Sequence, residues 1–98
     1  MSERRSYALE VTINGRRIEE VIIDPHYEEG HPDISDELIL ELVKKLDGRD
    51  FQPEEREDDW EYFMLDRQEH EGKAYRLIWC MRDNHLFIGV INCFRRKK

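Results

Sequence analysis

Ninety-eight residues with a formal charge of −7 and two cysteines suffice for one hydrophobic core and exclude a second one or a disulfide-built scaffold. The polar, basic start Met1 to Ser6 has no apolar run behind it, which argues against a signal peptide or membrane span and for a soluble, cytoplasmic chain. A single domain over 1–98 is expected, with 1–6 and 96–98 as disordered tails.

The charge is unevenly placed. Residues 18–72 hold twenty acidic side chains against five basic ones, whereas residues 73–98 hold seven basic against one acidic. Basic residues gathered on the C-terminal strands are an electrostatic footprint for phosphate. The other reading is that the two parts attract each other across one fold.

In chain order, Tyr7, Leu9, Val11 and Ile13 alternate with polar or small residues, the period of a half-buried strand. Asn14-Gly15 supplies two positive-φ positions of a type I′ turn, and Arg16–Ile23 returns as the second strand of a hairpin. Counting back from the turn sets Val11 opposite Ile18 but Leu9 opposite Glu20, so a bulge near Glu19-Glu20 is needed to bring Val21 and Ile23 to the core face. Asp24 to Asp33 is a loop holding His26, Tyr27 and His31. Ser35 is a good N-cap, and Leu38, Ile39, Leu42, Val43 and Leu46 recur at helical spacing, which predicts a helix over Asp36–Asp47 ended by Gly48.

Residues 49–59, with Pro53 and an acidic run, read as a solvated loop. Trp60 to Leu65, Ala74–Met81 and Leu86–Phe94 read as strands, the last two apolar on both faces and therefore central in a sheet. Tyr75, Leu77, Trp79 and Met81 share one face, placed beneath the helix. Cys80 and Cys93 lie in apolar strand patterns, where cysteine behaves as a small buried hydrophobe. The expected fold is α+β: an N-terminal β-hairpin, one helix, and a C-terminal three-stranded antiparallel meander, with the helix packed on one sheet face.

His31-Pro32-Asp33-Ile34-Ser35 before Glu37-Leu38-Ile39, Gly72-Lys73-Ala74-Tyr75-Arg76-Leu77-Ile78, and the closing Leu86 to Arg95 segment resemble short motifs of the superfamily of RelE and ParE toxins and barnase, EndoU and colicin-like RNase domains. The resemblance spans residues 24–96. It implies a metal-independent endoribonuclease with weak or lost activity, since this chain is acidic and carries Asn92 where relatives often place a hydroxyl on the last strand.

Cleavage by an internal 2′-hydroxyl needs a proton acceptor, a proton donor and cations for the phosphorane charge. His26 and His31 are the candidate acid and base, with Arg76 and Arg95 as the catalytic phosphate clamps. Tyr27, Arg76, Asn92, Arg95 and Arg96 are candidate nucleic-acid contacts, and His31 is expected within a substrate's width of Arg76. Loop histidines beside prolines also serve simply to stabilise turns. Asp24, His26, Glu28, Glu29, His31 and Asp33 offer nitrogen and oxygen donors suited to zinc or manganese, yet their spacing fits no closed site, so no metal or cofactor is expected. The partner is accordingly RNA or a cognate protein. The competing function is a non-enzymatic protein-interaction module with an acidic binding surface.

Overall fold

The computed structural model describes residues 4–25 and 33–96. Strands β1 (Arg5–Ile13) and β2 (Arg16–Ile23) form the N-terminal hairpin. Asn14 and Gly15 turn it with φ of 55° and 71°, the two left-handed positions that the sequence supplies there. Val11 pairs with Ile18, but beyond it three steps along β1 span two along β2, so that Tyr7 faces Val21 and Arg5 faces Ile23. The extra residue thus sits at Leu9-Glu10 on β1 rather than at Glu19-Glu20. The consequence for the core is the one expected, because Val21 and Ile23 are fully buried.

Ser35 caps helix α1 (Asp36–Lys44), its Oγ accepting the Leu38 N–H at 3.1 Å. The helix stops three residues short of the predicted Asp47. Leu46 and Asp47 instead donate to the carbonyls of Val43 and Lys44, a tightening of the last turn. The chain leaves because β1 recruits it: Asp47 Oδ1 accepts the Thr12 N–H at 2.7 Å, and Gly48, at φ 78°, donates to the Thr12 carbonyl at 2.7 Å. Part of the open edge of β1 is thereby covered.

The C-terminal strands are not a separate three-stranded meander, which corrects the sequence expectation. β3 (Glu55–Glu57), β4 (Trp60–His70), β5 (Lys73–Arg82) and β6 (Phe87–Arg96) join the hairpin in one six-stranded mixed sheet of order β1-β2-β6-β5-β4-β3. The junction is a parallel pairing of β2 with β6, Val21 opposite Ile88 and Ile23 opposite Val90. Both strands carry buried apolar residues on the helix side, so pairing them closes one core where two separate sheets would each leave an open edge. The acidic run, expected as loop, supplies β3 at the far edge, all three of its residues exposed.

One sheet face carries α1. Leu42, Val43 and Leu46 are fully buried in the same core as Leu77, Trp79, Ile88 and Val90, as the periodicities predict. Phe63 stacks on Trp79 at 5.3 Å and 8°, and Phe51 meets the same indole edge-on at 5.2 Å. Gln68, buried beside the Leu65/Gln68 bulge of β4, donates from Nε2 to the Leu42 carbonyl at 2.8 Å and ties the helix end to the sheet.

Candidate binding face

Strand pairing determines what the opposite face displays, because residues directly opposite on neighbouring strands share a face. Met81 and Ile88 are opposite each other and buried under the helix, so Arg82 and Phe87, one step on, point away from it. Trp60 pairs with Arg82, Glu57 pairs with Trp60, and Glu20 pairs with Phe87. The next row across the sheet runs Ile22, Gly89, Cys80, Tyr62, Glu55. A third holds Asn92, Ile78 and Met64, and a fourth Phe94 and Arg76. Among the described residues no helix lies over this face, since the only one, α1, belongs to the other.

Gly89 makes the face concave. It has no side chain in the central row, and a Cβ built there would meet Cys80 Sγ at 3.0 Å, closer than such contacts normally come. Over this floor Trp60 and Phe87 lean together edge to face, ring centroids 5.9 Å apart, although their strands are separated by β5. Arg82 lies over the Trp60 ring at 5.3 Å. Where β6 carries one extra residue between Val90 and Asn92, Ile91 joins the wall. The depression has a volume of about 190 Å³ and is closed on its β1–β2 side by Arg4, Ile22 and Asp24. A cavity of roughly 150 Å³ holds a benzene ring, so this one accepts a single ring or branched aliphatic side chain.

Four of the arginines around the face are engaged. Arg76 Nη2 lies 3.0 Å from Asp66 Oδ2 and Arg96 Nε 3.0 Å from the other oxygen of the same carboxylate. At the opposite end Arg82 Nε donates to Asp59 at 2.8 Å, and Arg56 bonds Asp83. The guanidinium hydrogen bonds hold the Asp66, Asp59 and Asp83 carboxyls below the usual carboxylate range. Part of the uneven charge of the sequence is thus paired within the fold, through Arg76 and Arg96 on Asp66 and Arg82 on Asp59. The Arg56–Asp83 pair runs the other way, from the middle segment to the C-terminal strands.

The predicted site residues are only partly brought together. Arg76, Asn92 and Arg96 share the helix-free face, with Asn92 Oδ1 accepting the Cys93 N–H at 2.9 Å. Arg95 pairs with Tyr75, whose side chain is buried on the helix face, so it projects to the other side of the sheet from Arg76. His26, Tyr27 and His31, with Glu28 and Glu29 of the candidate metal loop, lie outside the described residues. Among the described residues no group of three or more histidine, cysteine or acidic side chains is placed to hold a metal ion. Both thiols are free and buried, on opposite faces; burial raises the Cys80 pKa and pushes Cys93 up to about 12, so both stay protonated.

Sequence reading overlooked the helix-free face. Ile22, Tyr62 and Phe87 gave no motif, and only the two-sided apolarity of Ala74–Met81 and Leu86–Phe94, joined to a single helix, hinted at it. No helix among the described residues is long and apolar enough to cross a membrane. Comparison of the chain with protein-family models, curated proteins and solved structures gives no match.

Proposed function

We propose that this domain is a non-catalytic protein-interaction module whose partner docks on the helix-free sheet face over Gly89. The observation that carries this reading is a failure of alternation. A sheet solvated on one side shows polar residues outward, yet the outward positions here hold Ile22, Phe87, Ile91, Ile78, Tyr62 and Met64. Half-buried apolar side chains gathered around an open depression, with Met64 exposed beside them, support an interaction site on a domain this small.

Two further features favour this reading over RNA cleavage. Arg76 already spends its charge on Asp66, and a net charge of −7 opposes the approach of a polyanion. The test is selection of a displayed polypeptide library on the immobilised domain, read against the Phe87→Gln variant. Binders that lose affinity for the variant support the module. Binders indifferent to Phe87→Gln overturn it, as does cleavage of single-stranded RNA by the wild type that His31→Ala abolishes.

A further inference from the structure

Building on the interaction-module reading, we infer that the occupant of this face is a basic amphipathic helix from a partner protein, which lies along β5 and turns the domain into a helix-sheet-helix sandwich. Three observations lead there. The first is the placement of charge: Glu20 on β2 bounds the apolar band on one side, Glu55 and Glu57 on β3 bound it on the other, and all three are exposed. The same two β3 carboxylates face Tyr62 closely enough to help raise its pKa, behind the larger effect of burial. Between these flanks Arg76, Arg82 and Arg96 are paired internally, so the charge that Glu20, Glu55 and Glu57 offer on the two flanks is negative, with Arg4 beside the depression.

The second observation is width. From β2 to β3 are four strand spacings, about 19 Å at roughly 4.8 Å each. A helix with its side chains is about 10–12 Å across. Centred on β5, the middle strand of that span, it leaves about 4 Å on each side, a gap that lysine and arginine side chains cross while their methylenes cover the apolar margin. An added single strand covers too little of the band to reach either acidic flank.

The third is symmetry. In a face-to-face dimer of this chain with its strands aligned each flank meets a flank, and both flanks are acidic, so that arrangement opposes like charges. Along the strands the band runs from Arg82 to Arg76, six steps of the strand or about 20 Å, which a helix of about 13 residues spans. The Gly89 depression then receives one apolar residue of its stripe.

The experiment uses the full chain and a labelled 14-residue peptide of leucine and lysine with its leucines at i, i+3, i+4, i+7 spacing, its affinity followed by anisotropy. Controls are a scrambled peptide of the same composition and a leucine-glutamate counterpart. Expected are binding by the patterned lysine peptide alone, a loss of at least tenfold with Phe87→Gln, and a comparable loss with Glu20→Gln/Glu57→Gln. Glu37→Gln/Glu71→Gln, the same change of charge off the face, should leave affinity within twofold. Equal binding of the scrambled peptide, equal effects of the two glutamate pairs, or a self-association that Phe87→Gln abolishes each overturns the helix. Failure of the peptide while library-selected binders remain sensitive to Phe87→Gln removes the helix and leaves the module standing; failure of both removes both.

Discussion

Gly89 and Cys80 are the residues on which the face depends. Because a Cβ at Gly89 would press on Cys80 Sγ, Gly89→Ala should cost about 1–3 kcal/mol, the usual effect of overfilling a packed position. In a Cys80→Ala background the same change should cost clearly less, since the colliding sulfur is gone. Urea unfolding of the four proteins in the cycle measures the difference, and equal costs in the two backgrounds would show that the contact is not what makes glycine necessary. The two tryptophans should separate in the same assay. Trp79→Ala should lose about 3–5 kcal/mol as a core truncation, whereas Trp60→Ala, whose ring is half-buried on the helix-free face, should lose far less and instead weaken partner binding. The Trp79 environment was legible from the alternation of Tyr75, Leu77 and Met81. The role of Trp60 was not, because a ring can lean over its neighbours only once Gly89 has been brought beside Cys80, which is a matter of long-range register.

At the scale of elements, short-range signals carried well. The Asn14-Gly15 turn, the Ser35 cap and the helical stripe from Leu38 to Val43 are each decided within a few residues, and each stands where the sequence puts it. What failed to show were pairings between distant segments. The parallel contact of β2 with β6 joins residues about 67 apart, with no turn to announce it, and β3 exists only because β4 offers it an edge. The early end of α1 has the same origin in the capture of Asp47 and Gly48 by Thr12. Gln68, a polar residue inside an otherwise apolar interface, should matter out of proportion to its size: Gln68→Leu removes the bond to the Leu42 carbonyl and is expected to cost about 1 kcal/mol. Its mark should be faster hydrogen exchange at the C-terminal amides of α1, with the amides of β5 unchanged; uniform slowing or quickening across the sheet would contradict the role given to it.

For the molecule as a whole, charge sets both its stability profile and its choice of partner. Asp59, Asp66 and Asp83 have depressed pKa values, chiefly through hydrogen bonds from Arg82, Arg76 and Arg56. A group whose folded value lies below its unfolded value contributes stability above the unfolded value and loses it as pH falls through the folded one. The melting temperature should thus hold down to about pH 4 and fall below it. Asp66→Asn should flatten part of that fall, and added salt should shrink it because the pairs are partly exposed. An unchanged acid limb in Asp66→Asn would mean that the Arg76 and Arg96 contacts do not persist in solution. The central claim is that a sheet with α1 on one face keeps the other for a partner, and amide chemical-shift mapping with the patterned lysine peptide tests it most directly. The predicted result is a set of shifts confined to Ile22, Tyr62, Cys80, Phe87, Gly89 and Ile91, with α1 silent. Shifts centred on α1, or spread evenly over all acidic segments, would contradict it.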